Sequence, residues 1–240
     1  IHNAYQFPDA KIILIEKSNE VLSKVRISGG GRCNVTHACF NPKDLSTFYP
    51  RGSKELIGPF HRFYTQDTID WFEGKGVPLK VEDDNRVFPV SDSSESIIDV
   101  LFAELKSLNI SLWTNCSVTH ISRLNTGFSL LFRDGQRHDC HKLILATGSS
   151  RNGYKLAASL GHTIVDPVPS LFTFKVPDSA LHALAGLSVP HVSASLNLAE
   201  KQIQEGPILI THWGFSGPAI IKLSAWLARE LHQSNYQASL

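Results

Sequence analysis

The segment Ser28-Gly29-Gly30-Gly31-Arg32-Cys33-Asn34 concentrates residue types that handle an anion. Three glycines in a row let the backbone approach a ligand closely and aim several N–H groups at one charge. Arg32 adds fixed positive charge and a planar fork suited to phosphate. Asn34 adds both a donor and an acceptor. A mobile hinge would also use glycines, but it has no need of Arg, Cys and Asn directly behind them. Ligand contact is therefore the better reading.

Glu16 ends the apolar run Lys11–Ile15 (KIILI). In a Rossmann βαβ unit, an acid at that place accepts hydrogen bonds from ribose hydroxyls, about 20 residues after a glycine-rich turn. Only 15 residues precede Glu16, so such a turn would lie upstream. Ribose binding and a plain strand end both stay open for this residue. Ala146-Thr147-Gly148 closes a second apolar run, Lys142–Ala146 (KLILA). Alone it is an ordinary strand-to-helix turn. Its weight comes from its order, because in two-dinucleotide flavoproteins such a strand returns after a meander and its Thr-Gly turn packs beside the cofactor.

Other reactive side chains say less. Cys33, Cys39, Cys116 and Cys140 form no CxxC pair, which suggests reduced thiols. Cys33, His37 and Cys39 do not have zinc spacing, so no metal is expected. Cys33 beside Arg32 is either a thiol of lowered pKa or a small packed residue. His212 either faces a substrate as an acid or caps a strand. No catalytic residue can be named.

Several elements must position these residues. KIILI and KLILA read as strands buried on both faces of a parallel sheet. Residues 18–36 read as a long loop with a helical turn. Residues 41–63 read as helical pieces broken by Pro50, Gly52, Gly58 and Pro59, and 66–74 as a helix. Ser94–Leu108 is the clearest helix, with Ile97, Ile98, Leu101, Phe102, Leu105 and Leu108 on one face. Asn109 ends it and the strand Ile110–Trp113 follows. Val118–Leu124 and Ser129–Arg133 pair around Asn125-Thr126-Gly127, with a second turn at Asp134-Gly135. A helix over 153–160 follows. Beyond Asp166–Ser170 the texture becomes β-rich, with runs at Leu171–Val176, Val192–Leu198 and Ile208–Thr211. Pro218 then suits the first turn of a helix over Ala219–His232.

The 240 residues carry a formal charge of +1 and are 42% hydrophobic and 19% charged. That composition fits an ordinary globular protein. It gives no electrostatic reason for a nucleic-acid or membrane partner, so a small-molecule substrate is expected. No signal-peptide plan is visible, which makes cytoplasm the expectation. Methionine is absent. Ordinary usage of roughly 2% would give about five, so a chain trimmed at its start, or methionines lost or recoded, is expected.

The blocks ISGGGRCNVTH, FYPRG, GPFHRF, VFPVSDSS, LILATG, VPSLFTF, LAGLSV and THWGFSGPAIIKLSA occur in this order. Together they resemble the HI0933-like (BaiN-like) family of NAD(P)/FAD-dependent oxidoreductases, which are bacterial flavoproteins. The resemblance implies an α/β fold: a Rossmann-like FAD-binding domain with an antiparallel meander, interrupted by a β-barrel-like inserted domain and a small helical domain. Residues 1–168 would form the FAD domain without its first strand and glycine-rich turn. Residues 169–213 would begin the inserted β-rich domain, 214–235 would be helical, and 236–240 would return as a strand of the insert. The chain would be truncated at both ends. The family's ATGG appears here as ATG followed by Ser149, and His37 stands where Asn is frequent.

The resemblance also implies site residues. Glu16, with Lys17 beside it, would bind the adenosine ribose. Arg26, Ser28, Gly29, Gly30, Gly31, Arg32, Cys33, Asn34 and Val35 would line the pyrophosphate and flavin. Val118 would meet adenine through its backbone, and Ala146, Thr147 and Gly148 would close the site. FAD would be the cofactor and NAD(P)H a transient reductant. Some family members reduce conjugated carbon–carbon double bonds in steroid-like compounds. The rival readings are a flavin-binding sensor or interaction protein without turnover and an FAD-dependent RNA-modifying enzyme, the latter disfavoured by the near-neutral charge.

Overall fold

Short apolar stretches assemble into three buried clusters. The computed structural model describes residues 1–177, 180–199 and 202–240. Contacts divide the chain into two units, Ile1–Ile164 and Val165–Leu240. In chain order the first unit carries α1 (His2–Gln6), β1 (Ile13–Ile15), α2 (Ser23–Ile27), a 3-10 turn at Ser28–Gly31, β2 (Thr36–His37), α3 (Pro42–Thr47), α4 (Ser53–Phe60) and α5 (Thr65–Gly74). It continues with β3 (Leu79–Val81), β4 (Arg86–Pro89), α6 (Glu95–Ser107), β5 (Ser111–Trp113), β6 (Val118–Leu124), β7 (Gly127–Phe132), β8 (Arg137–Cys140) and α7 (Arg151–Ser159).

β1 and β5 pair in parallel, Ile13 opposite Ser111 and Ile15 opposite Trp113. The order β2-β4-β3 makes an antiparallel sheet, and β6-β7-β8 is the expected meander. α6 forms because apolar residues recur at helical spacing, and it buries Ile97 and Ile98. Asn109, at φ 52°, takes the left-handed conformation after its last turn. Ile97 joins Cys33 and Val77 in one cluster, while Ile121, Leu130, Phe132 and Leu156 form another.

Three expectations for this unit need correction. β1 is not buried on both faces: Leu14 between its neighbours is 43% exposed. Lys142–Ala146 forms no strand, and Ile144 is 71% exposed. A strand needs a partner for its N–H and C=O groups, and among the described residues β1 pairs only with β5. Leu143 still packs with Ile15 against the meander cluster. Gly58 and Pro59 lie inside α4 instead of ending it. The N–H that proline lacks falls near the last turn, where His61 N–H already donates to the Ile57 carbonyl.

The second unit contains β9 (Phe174–Lys175), β10 (Ser188–Ser195), β11 (Ile203–Thr211), β12 (Gly214–Ser216), α8 (Pro218–Trp226) and α9 (Ala228–Gln233). Its sheet runs β10-β11-β12-β9 and all its pairs are antiparallel. This corrects the barrel-like expectation: among the described residues the sheet stays open, with β10 and β9 as unjoined edges. The expected single helix over Ala219–His232 breaks at Leu227, and both helices share the core of the sheet through Ile220, Leu223 and Leu231. Residues 236–240 are not a strand either. They are irregular: Tyr236 N–H donates to the Leu231 carbonyl, and Ser239 N–H donates to Asn197 Oδ1 while its carbonyl accepts from Asn197 N–H.

One buried charge anchors α6 to its surroundings. Glu104 accepts hydrogen bonds from Tyr5 and, at 2.8 Å, from Lys75. The Lys75 ammonium, then the Tyr5 hydroxyl, hold its carboxyl below the usual carboxylate range. A carboxylate whose folded pKa is depressed adds stability above its unfolded pKa, and that stability is lost as pH falls through the folded value. Glu104→Ala should therefore lower the melting temperature at neutral pH, by about 5 °C. Thermal unfolding of both proteins from pH 7 downward should show the gap closing as the pH falls below the usual carboxylate range.

Candidate functional site

Gly29, Gly30 and Gly31 have φ of 56°, 71° and 86°, and Cys33 has 60°. This left-handed run reverses the chain so tightly that the Ser28 carbonyl accepts from the N–H groups of both Arg32 and Cys33. Gly29 has no room for a side chain, because a Cβ there would lie 2.8 Å from the Asn34 nitrogen and 2.8 Å from a Phe88 ring carbon. Gly30 faces open space. The turn is clamped on both sides. The Gly31 carbonyl accepts from Ser94 N–H at 2.9 Å, and the Ser94 hydroxyl donates to the Arg26 carbonyl at 2.9 Å. Val35 N–H donates to the Val87 carbonyl at 2.8 Å. The Asn34 amide, oriented to satisfy its neighbours, donates to the carbonyls of Thr36 and Val87.

The two arginines of this stretch are engaged elsewhere. Arg32 donates to Glu82 at 2.5 Å and Asp92 at 3.4 Å, and its guanidinium carbon sits 3.9 Å from the Phe88 ring centre. The Glu82 hydrogen bond raises its pKa further. The fork expected to meet a phosphate thus faces two carboxylates and fastens the turn to β3 and β4. Arg26 pairs with Glu95 on the surface.

Lys24 differs. It takes part in none of the ion pairs among the described residues. With Ser28 and Asn34 it edges a cleft of about 350 Å³ whose apolar wall includes Val25, Cys33, Phe72 and Ile97. Its ammonium also lies 3.7 Å from the position a Cβ would take on Gly148, a residue at φ 57°. Lys24 therefore touches on both stretches, lining a cleft with Ser28 and lying beside Gly148. Reading the sequence missed it, since an isolated lysine one helical turn before Ser28 carries no motif signal.

α7 holds the second turn in place. A Cβ on Gly153 would fall 1.8 Å from the Thr147 hydroxyl oxygen, so Thr147 packs directly on the helix backbone. Asn152 donates to the Val118 carbonyl at 2.9 Å, and Leu156 packs with Ile15 and Val118. Ala146 is exposed. Glu16 sits after β1, where one carboxylate oxygen accepts from the Ser18 N–H at 2.9 Å and hydroxyl at 2.8 Å. The Ser18 N–H, followed by its hydroxyl, holds the Glu16 carboxyl below its usual range. The Lys17 backbone N–H and ammonium add to that effect. Lys17 is exposed. The structure thus sets Lys24 in one cleft with Ser28 and Cys33–Val35, and its ammonium against Gly148. It ties Glu16 and Val118 to a common apolar cluster through Ile15 and α7. In the second unit, His212 is exposed at the β11–β12 turn.

The family model described as the HI0933-like protein Rossmann domain matches residues 3–212. A 3-dehydro-bile acid delta(4,6)-reductase of Clostridium scindens is 28% identical over 94% of this chain and 56% of its own length. A ribosomal RNA dihydrouridine synthase of Escherichia coli is 29% identical over 90% of this chain and 55% of its own. One of the same description from Haemophilus influenzae is 25% identical over 89% and 55%. The chain thus spans about half the length of the curated relatives it matches. No described helix is long and apolar enough to cross a membrane.

The geometry separates adjacent glycines. Gly30→Ala should cost about 1 kcal/mol, from left-handed strain alone. Gly29→Ala adds a collision with backbone and ring and should cost about 3 kcal/mol. Urea unfolding of the two variants ranks them, and equal midpoints would contradict the close approach at Gly29.

Proposed function

This chain belongs to the HI0933-like Rossmann-domain family, and on that premise we propose that it forms part of an FAD-dependent reductase acting on a carbon–carbon double bond. The observation that carries the reading is the place of Lys24, which lines one cleft with Ser28 and Asn34 and has its ammonium beside Gly148. The residues fit a dinucleotide. Gly30 and Gly148 lack the side chains that would fill the approach, both backbones are left-handed, and the Lys24 ammonium lies beside Gly148. The Glu16 carboxylate, half-buried after β1, is the acceptor proposed for a ribose hydroxyl.

Bound FAD would supply the two-electron hydride chemistry. The chain's own residues would bind and orient it. The glycine turn would offer close backbone approach, the apolar wall at Val25, Phe72 and Ile97 would exclude water, and Glu16 and the Val118 backbone would hold the adenosine end. NAD(P)H is proposed as the reductant. A delta-reductase and a dihydrouridine synthase both name the addition of hydrogen across a double bond, which supports that reaction class. The proposed substrate is a small conjugated carbonyl compound. A second reading, a uridine in RNA, is favoured by the two ribosomal RNA dihydrouridine synthases among the relatives and opposed by the net charge of +1.

Full-length protein reconstituted with FAD should show the visible flavin spectrum, and anaerobic NAD(P)H should bleach it. A conjugated enone should restore the colour faster than buffer does, whereas on the second reading an RNA containing the target uridine would do so. Absence of a flavin spectrum would remove the proposal. Bleaching without reoxidation by either acceptor would favour a sensor.

A further inference from the structure

We infer that Lys24, and neither Arg26 nor Arg32, is the cation that holds the diphosphate of the bound dinucleotide; this rests on the flavin reading above. Three cations lie within residues 24–32. A cation already paired with carboxylates presents little net charge to a further anion. Arg32 is held by Glu82 and Asp92 and stacked on Phe88, and Arg26 is paired with Glu95. To reach a phosphate, either would have to abandon a partner that fastens the glycine turn. Lys24 gives up nothing. Its ammonium already lies beside Gly148, and its stem edges the cleft with Ser28 and Asn34.

The chemistry selects the diphosphate over the ring. At neutral pH the full negative charges of oxidised FAD lie on its two phosphates, and a lysine ammonium recognises phosphate as a compact point charge. Gly148, left-handed and without a Cβ, leaves the space beside that ammonium free of side chain. The arginines act as positioning residues: they hold the turn that shapes the cleft.

The test compares full-length wild type with Lys24→Met and Lys24→Arg. Flavin fluorescence titration gives the dissociation constants for FAD and for riboflavin, which carries no phosphate, and circular dichroism checks the fold. Lys24→Met should weaken FAD about tenfold to a hundredfold, leave riboflavin within about twofold, and flatten the salt dependence of FAD binding. Lys24→Arg should restore most of the FAD affinity. FAD affinity unchanged in Lys24→Met overturns the assignment while leaving the flavin reading intact. An equal loss for FAD and riboflavin also overturns it, because the contact would then be with the ring. Wild type that binds no flavin overturns both.

Discussion

The first unit is organised around a backbone reversal that only residues free to adopt positive φ can make. Gly29, Gly30, Gly31 and Cys33 are all left-handed, and one carbonyl, that of Ser28, collects the N–H groups of Arg32 and Cys33. The reversal places α2 on one side and β2 on the other, and it brings Gly29 against Phe88 too closely for any Cβ. Cys33 carries the left-handed strain without being glycine, and its burial beside Ile97 helps to offset that cost. The cleft, its polar edge and its apolar wall all follow from this one turn.

Electrostatics divide the labour among neighbouring cations. Arg32 shows how burial context overrides residue type: flanked by Glu82 and Asp92 and lying on Phe88, it works as a fastener between the turn and the β3–β4 hairpin. Lys80 shares Asp92 with it at 2.5 Å, so the hairpin carries a small charge network and not an isolated pair. The same logic operates away from the site, where Tyr5 and Lys75 satisfy the buried Glu104. What remains unpaired in this stretch is Lys24, which lines the cleft beside Ser28 and lies against Gly148.

Much of this was legible in the sequence. The α6 periodicity, the meander with its turn at Gly127, and the glycine segment are local features, written in spacing and residue type. The pairing that cancels Arg32 was not legible, because Glu82 and Asp92 are 50 and 60 residues away. Nor was the fate of Lys142–Ala146. Its composition is that of a buried strand, but composition cannot supply the neighbouring strand that it needs, and Ile144 stays exposed. In the second unit, alternation pointed to β structure. It could not say whether the sheet closes, since closure depends on how β10 and β9 meet other strands, and here both remain edges.

Amide hydrogen exchange of the full-length protein with and without FAD tests most directly whether the two turns form one cofactor site. If they do, FAD slows exchange at residues 28–34 and at 147–150 together, with the rest of the meander little changed. Protection confined to residues 165–240, or at only one of the two turns, would contradict a site built from both.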